Sequence, residues 1–341
     1  MPLPEAAKNH IGIMFSNMAL LPAVLVFLLG LAFGSFLNVC IYRIPLALPE
    51  EVPEEPAIRT LLRRLAAWKA VNVPARSFCP HCQHAIRWYD NLPVLSWLRL
   101  GGRCRDCGAR IGVRYTVVEL LTALLFLACW LRYGATWEGL KYGVFSFLTV
   151  GLIFTDAEHG LLPDAFTIPG MVIGLAFSLV APIYDVAGRI ILALTDSAPS
   201  AALLSLADAL LGAGMGAGFI WGCGLVYKLA RGREGMGRGD IKFMALIGAF
   251  LGLKLTLLTI FGASLLGALF GLALLLWVWI KRWRRRLRRN RESGPAARRR
   301  AWASAKLVRY YAIPFGVFLG AMALLAVFFG NNLLPGYWDV L

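Results

Sequence analysis

Two stretches hold carboxylates where an apolar chain has little reason to place them. "FTDAEHGLLPD" (154–164) carries Asp156, Glu158 and Asp164 directly after an uncharged run, and "GMGRGD" (235–240) sets Asp240 just before another. Charge near hydrocarbon is costly, at least about 2.5 kcal/mol at a helix centre, and usually marks function. Close to a helix end the cost falls, so solvated boundary carboxylates are the competing reading. The glycines weigh against it. Gly237 and Gly239 permit positive φ and close approach of another chain, which an enzyme needs to seat an extended peptide. Two carboxylates brought together share one proton, because like charges about 3 Å apart cannot both ionise. The ionised one takes a proton from water and the protonated one donates to a scissile carbonyl. No Ser/His pair, glutamate-containing zinc motif or phosphate loop competes. His159 is read as a solvated loop residue, and Glu158 and Asp164 as a solvated turn.

Cysteine offers a second chemistry. Four of the seven form "CPHC" (79–82) and "CRDC" (104–107), separated by 21 residues in a polar, Arg-rich segment. Two C-x-x-C knuckles at this spacing match a zinc ribbon in which Cys79, Cys82, Cys104 and Cys107 close a tetrahedral shell. His81 and His84 are alternative donors. Four thiolates leave no open position, so the zinc is read as structural. Cys40, Cys129 and Cys223 lie in apolar runs as small core residues.

The elements that must position these groups are membrane helices. The chain is 59% hydrophobic and 16% charged, with a mean hydropathy of +0.66. No formal charge falls between Lys8 and Arg43, and further uncharged runs cover 165–184, 209–227, 255–280 and 310–338. Segments 115–131 and 142–155 are weaker, and 243–253 is short. A bilayer crossing takes about 20 residues, with every backbone group satisfied internally. The expected fold is an all-α polytopic membrane protein of about eight transmembrane helices, with a small zinc-ribbon-like domain between the first and second. The divisions are a first span at 12–42, a cysteine domain at 43–114 and a bundle carrying both aspartates at 115–280. A basic loop at 281–309 and a last span with the C-terminus at 310–341 complete it.

Basic residues orient the chain. Of 35 Lys and Arg, 12 fall in 41–115, 5 in 228–242 and 13 in 281–310. With eight spans these loops share one face, which must be cytoplasmic. The first run is read as a retained span rather than a cleaved signal, because no small-residue cleavage site follows it. The net charge of +16 could suggest nucleic acid. The arginine run at 281–300, however, follows a span directly and reads as a topology determinant facing the anionic cytoplasmic leaflet. No nucleic-acid partner is expected.

Beyond these motifs, the chain resembles the type IV prepilin peptidases, GxGD-type aspartyl proteases of the bacterial inner membrane. "GSFLNVCIYRIP" (34–45), "DNLPVLSWLRLGGRC" (90–104), "DAEHGLLPD" and "GMGRGD" carry the resemblance. It implies Asp156 and Asp240 as the catalytic pair, with Asp164 a motif position outside it. It also implies prepilin or pseudopilin substrates, leader removal at the cytoplasmic face, and N-methylation of the new terminus with S-adenosylmethionine. The S-adenosylmethionine site is not legible in the sequence. Glu158, Thr116 and Val317 depart from the family's usual residues, and the stretches at 184–200 and 281–300 are long. The rival from another class is a membrane scaffold or ion-coupled carrier that uses Asp156 and Asp240 for proton relay.

Overall fold

The computed structural model describes residues 5–48, 66–73, 76–183, 199–233, 237–290 and 314–333, with 59, 62, 188, 190–192 and 235 between them. Most of the stretch at 184–198 and the basic loop from 291 to 310 lie outside the described residues. Eight α-helices stand out among the described residues: α1 (Glu5–Leu46), α2 (Leu95–Arg99), α3 (Val113–Tyr133), α4 (Trp137–His159), α5 (Asp164–Val180), α6 (Ala201–Arg231), α7 (Arg238–Asn290) and α8 (Phe315–Leu333). Among the described residues there is no strand, only two isolated antiparallel bridges. Five helices are long and apolar enough to cross a membrane (within α1, and α3, α4, α6 and α7), and α5 and α8 are shorter apolar helices.

α7 is too long for one crossing, and Gly252 divides it at φ 72, ψ −175. Packing against α8 gives its course. Gly330 lies near Leu255, Gly262 against Met322, and Gly267 near Phe318. Residues from 253 onward therefore run antiparallel to α8, back toward the end where 238 begins. The short segment at 243–253 is a helical stretch of its own, set off from the residues after Gly252, and each of the eight apolar runs read from the sequence is helical over most of its described residues. Gly252 occupies backbone space that is essentially glycine-only, worth about 1–3 kcal/mol to any other residue. A Cβ there would also lie 2.2 Å from Asp208 Oδ2. Gly252→Ala should lower the thermal unfolding midpoint in detergent by several degrees; an unchanged midpoint would mean the reversal is not fixed at this residue.

Small residues draw the helices together, as association in lipid requires. A Cβ on Gly248 would fall 2.3 Å from the Gly212 backbone, locking α6 against α7. α4 carries the same logic further. It packs against α1, α3, α5 and α8, and 61% of its apolar window is buried, against 17% for Leu20–Leu46. Gly151, Ser146, Thr149 and Thr155 face protein there rather than lipid. That explains its weak hydropathy, since a span that touches helices on every side need not be oily.

Candidate functional sites

Asp156 sits in the last turn of α4, which Gly160 ends in the left-handed conformation (φ 61), its N–H donating to the Asp156 carbonyl at 2.9 Å. The side chain is only 7% exposed. Its Oδ2 accepts the N–H of Val317 at 3.2 Å, in the first turn of α8, where helix N–H groups lack intrahelical partners and favour negative charge. Gly316 permits the approach: a Cβ there would stand 2.7 Å from Asp156 Oδ2.

Asp240 occupies the first turn of α7, another position that favours a carboxylate. It too receives a glycine backbone, through a bond from Gly237, and a Cβ on Gly237 would lie 3.3 Å from Asp240 Oδ2. The two carboxylates are close enough for the charge of Asp156 to act on Asp240. Each aspartate thus rests on one glycine, and Leu162 packs against both Gly239 and Gly316 between them.

This corrects two sequence expectations. Gly239 is not among the glycines at positive φ. Gly239 lies within α7, and its missing side chain makes room for Leu162, as that of Gly235 makes room for the Tyr227 ring. The chain's own packing, rather than an open backbone, accounts for these two glycines. Met236 lies outside the described residues. The second correction concerns Asp164, which is not solvated. It is 6% exposed, and its Oδ1 accepts from Lys242 Nζ at 2.6 Å. The pair ties the start of α5 to the start of α7, two residues past Asp240. Glu158 remains near the surface and pairs with Arg114 at the start of α3.

One end of the bundle therefore gathers the last turn of α4 and the first turns of α3, α5, α7 and α8. The cysteine segment docks at the same end. Arg43 near the end of α1 donates to the carbonyls of Val71 and Arg76, and Trp68 Nε1 donates to the Ala165 carbonyl at 2.7 Å.

The two knuckles repeat one geometry. Cys79 N–H donates to His84 O and Gln83 N–H to Cys79 O, and Cys104 and Gly108 do the same with Ala109 and Cys104. Each turns through positive φ four residues past its first cysteine, at Gln83 (φ 57) and Gly108 (φ 69). The bridges Phe78–Ala85 and Arg103–Arg110 close the two loops. The four sulfurs all lie within 4.8 Å of one another, with Cys79 and Cys107 at 3.8 Å. Bonds of about 2.3 Å in a tetrahedron place sulfurs about 3.8 Å apart, so the cluster is compatible with a zinc ion. Crowding splits the thiols. Burial opposes ionisation of Cys79, but the backbone N–H groups of Cys82 and His81 outweigh it and hold the thiol at about 7. Cys107 receives the Ala109 amide, yet burial and the neighbouring sulfurs push it to about 12. A dication relieves that repulsion. Beside the cluster, Arg105 grips Asp90 through two bonds of 2.6 and 2.7 Å and holds its carboxyl below the usual range.

Sequence reasoning did not reach Gly316, Leu162 or Lys242. "IPFGVFL" (313–319) was legible only as a stretch departing from a family pattern, since nothing local to a glycine in an apolar run says which helix it will touch.

The chain is similar to known proteins over most of its length. The family described as "Type IV leader peptidase family" matches residues 142–272, and "Bacterial Peptidase A24 N-terminal domain" matches residues 28–133. The chain is 34% identical over 322 residues to the "Prepilin leader peptidase/N-methyltransferase" of Aeromonas hydrophila, covering 92% of each. Its identity to the protein of that name from Pseudomonas aeruginosa is 35% over 317 residues, 91% of each. For the one from Myxococcus xanthus it is 39% over 255 residues, 74% of this chain and 63% of the relative. No solved structure matches the chain.

Proposed function

Because this chain belongs to the type IV leader peptidase family, we propose that Asp156 and Asp240 are its catalytic dyad. Their substrates are type IV prepilins or pseudopilins, cut between the basic leader and the apolar helix. The observation that carries the reading is the meeting of two carboxylates from α4 and α7 at one end of the bundle, each on a glycine backbone. The ionised member takes a proton from water, whose oxygen attacks the scissile carbonyl carbon. The protonated member gives its proton to the carbonyl oxygen. The tetrahedral diol then collapses, the C–N bond breaks, and the proton held by the dyad leaves on the new amine. A shared proton makes the pair a single titrating unit. Activity should fall at low pH, where neither carboxylate can accept a proton, and at high pH, where neither can donate one.

The basic loops support a cytoplasmic placement of this end of the bundle, and the family supports the bacterial inner membrane. Residues 43–114 then form a cytoplasmic domain and 115–280 the catalytic bundle. The names of the relatives support a second activity, N-methylation of the new terminus; S-adenosylmethionine, when bound, supplies an activated methyl group. The test is cleavage of a prepilin in membranes with and without S-adenosylmethionine, read by mass spectrometry for leader loss and N-methylation. An intact leader under both conditions would refute the peptidase assignment.

Cys79, Cys82, Cys104 and Cys107 hold a structural zinc. Purified protein should contain about one zinc per chain, and Cys79→Ser or Cys107→Ser should lose it. Structural zinc contributes folding energy, so the 77–112 segment should then become protease-sensitive. Full zinc content in both variants would refute the ligand set.

A further inference from the structure

The cysteine segment does not close down on the membrane helices beneath it. Between them lies a cleft of about 240 Å³, just under the ~300–1,000 Å³ common for ligand sites. Neither Asp156 nor Asp240 lines it. Asn38 from α1 and Thr116 and Glu119 from α3 do, and each is at least nine-tenths buried. Asn38 gives Nδ2 to the Tyr115 carbonyl at 2.9 Å, but its Oδ1 has no partner among the described residues, and neither has Thr116 Oγ1. Buried polar atoms are rarely left unpaired, and such an exception in a cleft points to a missing ligand. Glu119 accepts the Val94 N–H at 2.8 Å and a bond from Ser35, yet no ion pair joins it to a described residue. Val94, a β-branched residue, is held at φ 59 by the same wall; strain of this kind persists only where the surroundings over-determine it and gathers at binding sites. A buried carboxylate without a cation is expensive, and a cationic ligand removes the expense.

We propose that this cleft binds S-adenosylmethionine, with Glu119 answering its positive charge and Asn38 Oδ1 and Thr116 Oγ1 bonding its polar edges. The inference rests on the N-methyltransferase reading above and gives that activity a location. S-adenosylmethionine carries a sulfonium and an ammonium beside a carboxylate and a nucleoside, which matches a lining that sets Glu119 and two unpaired polar atoms among arginines such as Arg87 and Arg110. The two activities then occupy separate sites at the same end of the bundle, joined by the diffusing or sliding N-terminus of the cleaved substrate.

The experiment uses the full chain in nanodiscs with radiolabelled S-adenosylmethionine, read by equilibrium binding and by ultraviolet cross-linking with peptide mapping. Label is expected on peptides from 33–46, 77–112 or 113–120. Glu119→Gln, which still offers Val94 an acceptor, should raise Kd roughly tenfold or more, and Thr116→Val should raise it by a smaller factor. Zinc content reports whether each variant has kept its fold, and Thr116→Val decides if Glu119→Gln has not. Label confined to 137–333, or unchanged Kd in the folded variants, overturns the location while leaving the methyltransferase reading intact. A wild-type chain that binds no S-adenosylmethionine overturns that reading and this inference with it.

Discussion

Asp156→Asn and Asp240→Asn should each reduce leader removal by roughly ten-thousand-fold, and the double variant should be no worse than either single one. Residues that act as one unit are grossly non-additive, because the second loss removes nothing that still works. The expectation follows from the site. α4 and α7 each deliver one carboxylate, and the charge of Asp156 bears on Asp240. His159 stands near Glu158 rather than the pair. Asparagine keeps the shape and removes the proton exchange, so the variants should insert in the membrane and retain zinc. Initial cleavage rates on a purified prepilin measure the effect. An Asp240→Asn protein, correctly inserted and cleaving at an undiminished rate, would end the dyad assignment. Additive losses in the double variant would mean that the two carboxylates act in separate steps.

Gly316 carries the second large effect. A Cβ at this position would lie 2.7 Å from Asp156 Oδ2, 3.1 Å from its Cγ and 3.2 Å from Leu162 Cδ1. Leu162 in turn fills the space beside Gly239, one residue before Asp240. Gly316→Ala therefore pushes on both sides of the site at once. A catalytic group misplaced by about 1 Å can cost roughly a hundredfold in rate, and Gly316→Val should exceed that. The loss should appear in kcat more than in KM, because the substrate's apolar helix does not need Gly316 to bind. The residue's φ is not in the left-handed region, so the argument is spatial alone, and Gly316→Ser should behave like Gly316→Ala. Wild-type kcat in Gly316→Val would show that α8 does not bear on Asp156 in the working enzyme.

The Asp164–Lys242 pair stands between these sites and the scaffold. Its carboxylate is buried while the lysine is more than a third exposed, so the contact serves to fix the first turn of α7 more than to add stability. It qualifies the expectation that Asp164 is a dispensable surface residue: substitution there should disturb the placement of Asp240 by way of Lys242.

The primary sequence determined the membrane character, because long uncharged runs cannot be solvated and basic loops cannot be translocated freely. It determined the cysteine cluster through spacing alone, since a C-x-x-C knuckle is a local structure and two of them make one shell. It also drew out Asp156, Glu158, Asp164 and Asp240, because a carboxylate beside an apolar run is conspicuous wherever the fold puts it, and the resemblance to a family chose Asp156 and Asp240 among them. The tertiary structure decided what nonlocal contact decides. A glycine in an apolar helix looks alike at Gly212, Gly252 and Gly316, yet one admits a neighbouring backbone, one reverses the chain and one seats a carboxylate. Asp164 looked solvated beside a proline because its lysine lies 78 residues away. α4 looked like a poor span because the helices that bury it are spread across the chain. The cleft lined by Asn38, Thr116 and Glu119 is built from two helices and a lobe, and no window of sequence contains all three.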